Sequence, residues 1–528
     1  MSDASQFISK RAQSRKSSHF ANVPSDKPPA GFKPHPKPLL LSYGTPNDGF
    51  FPIDSIEVNL VEFPFEHQSK QSHLNGHSKE ANGQAKEANG QAKEANGQVK
   101  EEKSNSFRIS RHSDTPELLD LSRGLQYGPV SGLDPLLQFT KEFISKTHKP
   151  AYDEWNSIVT TGASDGLNKA CDAILDQGDV VLVEEFTFTP FLRFVNNAGG
   201  IPVPLKIDLS QDSNGLDYNY LENLLTNWSK EKPNLPKPKA LYTISTGQNP
   251  TGFTQTLEFR RKVYKLAEEH NFVIIEDDPY GYLTLPKYDS SRFSSNDQVD
   301  PADLKNDITI EDYLTNHLTP SYLEIDTTGR VIRVETFSKL FAPGLRLGFV
   351  IAHAKIIDAI RNYSEVVNRG ASGLSQTVVN NVIRDKLGGL DGWLNWILKM
   401  RATYSHRKDL LLHSIYKSEA FKKGLVDVID PKAGMFATFK VKFLDPAEGN
   451  VSSDEVVAVG KQLLWKIISH GVLVVPGYNM SVDPDFSLER SNFFRLCYAP
   501  LNNDEDIIES GKRLTDAVLE FYNNGNKF

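Results

Sequence analysis

Between Phe107 and Asp391 short runs of apolar residues alternate with longer stretches in which apolar side chains recur every three or four positions. The short runs Ile158–Thr160, Val180–Val183, Ile201–Ile207, Ala240–Ile244, Phe272–Ile275 and Val331–Val334 read as strands or strand ends. Ser164–Leu175 is predicted as a helix with Leu167, Cys171 and Ile174 on one face. Thr254–His270 is a second, with Phe259, Val263, Leu266 and Ala267 forming its stripe. Strands alternating with helices imply an α/β fold whose mostly parallel sheet is covered on both faces. In such sheets a ligand sits beyond the carboxyl ends of the strands. Three polar motifs do follow strand ends: Thr243–Gly252, Glu276–Tyr280 and Thr336–Arg346.

After Asp391 the texture changes. A long helical stretch, Trp393–Tyr416, precedes Val426–Phe443, a helix near Ser453–His470, the strands Val472–Pro476 and Phe493–Ala499, and a closing helix. This reads as a smaller α+β domain over residues 391–528, beside a large domain over residues 106–390. Residues 1–66 are expected to form an N-terminal arm and the start of the small domain. Between them, residues 67–105 hold almost no large apolar side chain and repeat Lys-Glu-Ala-Asn-Gly-Gln-Ala from Lys79, Lys86 and Lys93. Alanine alone cannot bury enough surface to offset the ordering of that backbone, so a disordered insertion in a surface loop is expected.

The bulk numbers narrow the function classes. A net charge of −8 argues against a nucleic-acid footprint. Cys171 and Cys497 make no disulfide framework and fit a reducing compartment. No apolar run approaches the ~18–20 residues that cross a bilayer. The first twenty residues carry Lys10, Arg11, Arg15 and Lys16 among serines, a composition that overlaps a mitochondrial transit peptide. No apolar face lines up there, so a cytoplasmic protein with an ordinary arm is expected.

The chemistry concentrates at Lys339. It lies in Thr336-Phe337-Ser338-Lys339, followed by Ala342-Pro343-Gly344-Leu345-Arg346, directly after an apolar strand. An amine that forms a Schiff base must be held rigidly, and neighbouring hydroxyls with a forked cation suit a phosphate. Together they suggest a lysine that carries pyridoxal 5'-phosphate. Asn249, in Gly247-Gln248-Asn249-Pro250-Thr251-Gly252, could donate to the cofactor's ring oxygen, and Tyr280 could share that oxygen. Asp277 ends a strand, where a carboxylate can keep a pyridine nitrogen protonated. Its neighbour Asp278 is read as a solvated acid. Thr161-Gly162-Ala163-Ser164 opens a helix whose free N–H groups can take an anion, although a plain helix cap explains it equally. Arg495, on the apolar strand around Phe493-Phe494, needs a partner: a substrate carboxylate or an internal salt bridge.

Gly-Gln-Asn-Pro-Thr-Gly, Glu-Asp-Asp-Pro-Tyr, Phe-Ser-Lys-x-x-Ala-Pro-Gly-x-Arg and the late Phe-Arg together resemble the class I/II aminotransferases of fold type I. The nearest subgroup is similar to the fungal aromatic and 2-aminoadipate aminotransferases, related to kynurenine transaminases. The resemblance runs from Leu41 to the C-terminus, outside the insertion and the stretch around Asp289–Pro320. It implies that Lys339 holds the cofactor and shuttles the proton, Asp277 pairs with the ring nitrogen, and Asn249 and Tyr280 bond the ring oxygen. It places Ala163, Ser164, Thr336, Ser338 and Arg346 on the phosphate, Phe188 against the ring and Arg495 on the α-carboxylate. Tyr127 corresponds to a tyrosine that reaches the phosphate of a neighbouring subunit, which implies a homodimer.

Three departures stand out. Thr336 replaces a common serine. Tyr43-Gly44-Thr45-Pro46 keeps Gly44 but has a tyrosine in place of the first glycine of a substrate-lining Gly-Gly-x-Pro. Glu184-Glu185-Phe186-Thr187-Phe188 has lost a proline and a phenol. The resemblance implies transamination between an aromatic amino acid, kynurenine or 2-aminoadipate and a 2-oxo acid such as 2-oxoglutarate. A lyase or decarboxylase on the same scaffold, or a cofactor-binding regulator, is the alternative.

Overall fold

The computed structural model describes residues 4–15, 29–33, 35–37, 44–64, 105–293, 308–448 and 451–528. The predicted insertion lies outside them, apart from Asn105. Its flanks are described. Strand β1 (Ser55–Asn59) pairs antiparallel with β2 (Ser106–Ser110), Asn59 opposite Ser106. The Leu60 N–H then donates to the Asn105 carbonyl at 2.9 Å. The chain therefore leaves and re-enters at one point.

Seven strands build the central sheet: β3 (Trp155–Thr160), β4 (Val180–Glu184), β5 (Ile201–Leu205), β6 (Pro238–Thr243), β7 (Val273–Asp277), β8 (Val331–Thr336) and β9 (Gly348–His353). Their order is β3-β9-β8-β7-β6-β4-β5, and β9 alone runs opposite to the direction of the other six. The sheet is mostly parallel, as expected; β9 had no counterpart in the sequence reading.

Alternation along the strands fills two cores. Val180, Leu182, Leu241, Ile274 and Val331 face one side, with Leu136, Phe139 and Phe143 of helix α1 (Asp134–Thr147). Val181, Val183, Ala240, Tyr242, Ile275 and Val334 face the other. There they meet Leu167, Ala170 and Ile174 of α2 (Ala163–Ile174) and Phe191 and Val195 of α3 (Pro190–Asn197). Burial on both faces is why these strands read as unbroken apolar runs. Helix α4 (Leu257–Glu269) lies on the first side and starts later than Thr254, because the Thr256 hydroxyl caps the Phe259 N–H.

Helix α5 (Ala354–Val367) covers the second side. Helix α6 (Gly389–Tyr416) serves two cores: Trp393, Leu394 and Ile397 join the first, while Leu410, Leu412 and Ile415 join a third. That third core lies on an antiparallel sheet of β10 (Val426–Ile429), β11 (Phe436–Val441), β12 (Val475–Pro476) and β13 (Phe493–Cys497), ordered β10-β11-β13-β12. Helices α7 (Val456–Ser469) and α8 (Asp504–Asn523) pack on it. The strand expected at Val472–Pro476 shrinks to two residues. Gly471, at φ +80°, turns the chain, and the Val472 N–H bonds back to Ile467.

The arm is built into the fold. Ala4, Phe7 and Ala12 are buried, the Ser9 N–H donates to Ala173, and the backbone of Lys10 and Arg11 donates to Asp176. Arg15 pairs with Asp172 through both of its terminal nitrogens. The basic residues thus sit at the C-terminus of α2, where a helix dipole favours cations.

Candidate active site

The parallel neighbours β8, β7 and β6 end side by side, so Thr336–Lys339, Asp277–Tyr280 and the loop from Thr243 to Asn249 gather at one edge of the sheet. Antiparallel β9 starts at that edge. Gly348 lies opposite both Thr160 and Thr336, which brings the Thr161–Ala163 turn alongside. A Cβ on Gly348 would stand 2.6 Å from the Glu335 carbonyl, so only glycine permits this approach.

Asp277 points to the α2 side of the sheet. Its Oδ2 accepts from the Tyr242 hydroxyl at 2.7 Å, and its Oδ1 is buried without a hydrogen-bond partner among the described residues. Burial pushes this carboxyl up to about 7, against the pull of the Tyr242 hydrogen bond; Asp278 adds to the rise and Arg333 opposes it.

Asp278 is not a solvated acid. Adjacent strand positions face opposite sides, so it follows Glu276 into the other core. There Arg333 reaches Asp278 at 2.8 Å, Glu276 at 3.0 Å and Glu335 at 2.7 Å, and Arg260 reaches Glu276 at 3.1 Å. All five side chains are at most 2% exposed. Such a cation offsets the cost of burying the carboxylates around it. The sequence places the two acids together but does not show the cation on the neighbouring strand.

Arg495 has no carboxylate partner among the described residues. Its Nη1 donates to Asn249 Oδ1 at 2.8 Å, its guanidinium lies 4.3 Å from the Phe436 ring centroid, and its Nε is buried with no hydrogen-bond partner among those residues. Asn249 precedes Pro250 in a loop that Gln248 fastens to β4, donating to Glu184 at 3.0 Å and to the Phe186 carbonyl at 2.7 Å. Tyr280 is buried edge-on against Phe436 at 5.7 Å, and Asp277 and Arg495 both act on its phenol electrostatically. Lys339 is partly buried. Its charge is close enough to Cys497 to help Arg495 and Arg407 oppose the upward push of burial on that thiol. Lys339, Tyr280, Asp277, Asn249 and Arg495 therefore share one neighbourhood.

Beside them the Thr336 hydroxyl donates to Ser338 at 2.8 Å and accepts the Ser338 N–H at 3.1 Å. Gly162, at φ +78°, caps α2, and a Cβ there would lie 2.5 Å from Arg346 Nη2. Arg346 itself adopts φ +51° and stays exposed, its guanidinium over the turn that leads into Ala163 and Ser164. Asp165 stabilises that turn by accepting from the Thr161 N–H at 2.8 Å and from Lys169 at 2.7 Å. Phe188 packs half-buried against the α2-side core. Two residues stand apart. Tyr127 is 72% exposed, and Gly44 is exposed with open space around it.

Sequence reasoning missed Tyr242, Phe191, Phe436, Gln248 and Arg333. The register that sets Tyr242 opposite Ile275, two positions before Asp277 on the same face, is the missing signal for the first.

Residues 95–509 match the family model described as aminotransferase class I and II. Aromatic amino acid aminotransferase 2 of Saccharomyces cerevisiae is 36% identical over 509 residues, covering 92% of this chain and 91% of that one. The mitochondrial kynurenine/alpha-aminoadipate aminotransferase of Mus musculus is 30% identical over 75% of this chain and 84% of its own. A crystal structure of an aromatic aminotransferase from C. albicans superposes with a TM-score of 0.86 at 60% identity, with both chains covered completely. With strand ends, clustered residues and matched relatives in agreement, this chain belongs to the class I and II aminotransferases, enzymes that transaminate with pyridoxal phosphate.

Proposed function

We propose that this aminotransferase works on aromatic amino acids, with kynurenine or 2-aminoadipate as further donors and a 2-oxo acid such as 2-oxoglutarate as acceptor. The names of its relatives support the donor class. One observation carries the assignment of the site: Asp277 Oδ1, a buried carboxylate oxygen without a partner among the described residues, at the sheet edge that also holds Lys339. A protonated pyridine nitrogen satisfies such an oxygen, so the residues present fit pyridoxal phosphate.

Lys339 would carry the cofactor covalently, Asp277 would pair with its ring nitrogen, and Asn249 and Tyr280 would bond its ring oxygen. Phe188 would cover the ring. The Ala163 and Ser164 N–H groups, Thr336, Ser338 and Arg346 would hold its phosphate at the start of α2, where free amides favour an anion. When bound, the cofactor supplies an electron sink for charge developing at the substrate Cα. The chain does the rest. Arg495, braced by Asn249 and stacked on Phe436, orients the α-carboxylate of either substrate. Lys339 Nζ removes the proton from Cα and returns it during the half reaction. Phe436 and Tyr280, both buried and packed edge-on, shield the Arg495 side of the site from water.

The exposed Tyr127 supports a homodimer in which it reaches a neighbouring subunit's phosphate, with Gly44 lining the substrate pocket. No helix among the described residues is long and apolar enough to cross a membrane, and the free thiols Cys171 and Cys497 support a cytoplasmic setting.

The test is a single turnover. Cofactor-loaded protein mixed with one amino acid and no acceptor releases one equivalent of 2-oxo acid, without ammonia or carbon dioxide. Phenylalanine, tyrosine and tryptophan react fast. Rapid reaction with aspartate and slow reaction with phenylalanine overturns the donor assignment.

A further inference from the structure

Asp277 can present only one oxygen, and the reason lies on β6. The parallel register sets Tyr242 opposite Ile275, so its ring shares a face with Asp277 two positions on. Its hydroxyl donates to Oδ2 at 2.7 Å, and among the described residues no other side chain donates to that carboxylate. Tyr242 cannot move aside. It is fully buried, and Phe191 stacks on it with centroids 3.6 Å apart and planes 9° from parallel. Burial and the neighbouring Asp277 and Glu184 charges hold its phenol well above the usual range, so it stays protonated and uses its one hydrogen as a donor.

We propose that Tyr242 is a positioning residue for the cofactor: it pins Oδ2 of Asp277, leaves Oδ1 as the oxygen offered to the ring nitrogen, and keeps the carboxylate ionised to receive it. This rests on the cofactor site proposed above. The other charged and titratable groups that act on Asp277 cannot take over the role. Asp278, next in the chain but turned to the opposite face, raises its proton affinity, the Arg333 guanidinium on β8 lowers it from that opposite face but is engaged by three carboxylates, and Tyr280 is a neutral phenol. The assignment also explains why one acid of the Asp277-Asp278 pair is neutralised by arginine while the other meets a neutral donor. A guanidinium on Asp277 would compete with the cofactor for Oδ1.

The experiment titrates apoprotein with pyridoxal phosphate across pH, reading tryptophan quenching rather than turnover. In the wild type, affinity rises as Asp277 loses its proton near pH 7. In Tyr242→Phe the carboxyl loses a charge-assisted hydrogen bond, so the midpoint of that acid limb moves up by about one to two pH units. Ring-labelled ¹⁵N cofactor bound to the variant then shows a ring nitrogen less protonated than in the wild type. Phe191→Leu, which loosens the phenol without removing it, shifts the limb part of the way. Tyr242→Phe in an Asp277→Ala background adds nothing. A Tyr242→Phe or Phe191→Leu variant that weakens binding by the same factor at every pH, with an unchanged nitrogen signal, overturns the positioning role. If Asp277→Ala binds as the wild type does, the cofactor site itself fails, and the inference with it.

Discussion

Replacing Arg495 with lysine keeps a positive charge and removes the fork. In the structure the guanidinium is held from two directions, by Asn249 Oδ1 at 2.8 Å and by the Phe436 ring at 4.3 Å, so its free edge is aimed before any substrate arrives. A lysine offers a point charge on a flexible stem and loses the paired contact with a carboxylate. One hydrogen bond to a charged group contributes about 1.5–3 kcal/mol, which predicts a fall in kcat/KM of about 10- to 150-fold. With one clamp proposed for both half reactions, the fall is expected to be shared. The KM values for the amino donor and for the oxo acid acceptor rise together, while maximal turnover changes less. Steady-state kinetics with each substrate varied in turn measures this, with the melting temperature as a control for folding. A variant that weakens the donor and leaves the acceptor untouched refutes a common carboxylate clamp.

Lys339→Ala abolishes turnover, and borohydride reduction followed by peptide mapping labels Lys339 in the wild type and no lysine in the variant; a label elsewhere contradicts the assignment. Arg333→Leu leaves Glu276, Asp278 and Glu335 buried without their shared cation, a loss of about 3–5 kcal/mol in unfolding measurements. Burial already pushes Glu335 up to about 7 with Arg333 present. A carboxyl whose folded pKa lies above its unfolded value gives up stability as pH rises through the folded value, so this variant melts lower at pH 8 than at pH 6. An equal loss at both pH values argues against the network. Deleting Ser78–Glu101 leaves turnover intact and changes stability by less than about 1 kcal/mol, since shortening a loop changes closure entropy slowly. The pairing of Leu60 with Asn105 already joins its ends, so a large loss of either property contradicts that reasoning.

Local chemistry was legible in the chain. Lys339 among hydroxyls, Asn249 before a proline and Asp277 at the end of an apolar run all declare themselves within a few residues, because strand periodicity and turn preference act at that range. The gathering of these motifs at one edge also followed, since a parallel sheet puts its carboxyl ends together. Contacts between strands were not legible. Whether Asp278 meets water or Arg333, and whether Asp277 meets a cation or the Tyr242 hydroxyl, depends on which strands are neighbours and in what register. Those two carboxylates are identical and adjacent in the sequence, yet strand alternation sends them into different cores, one lined by guanidinium groups and the other by stacked aromatic rings. Residue identity and spacing determine the chemistry a segment can offer. The partner that sets its charge comes from a strand tens of residues away, and packing alone decides it.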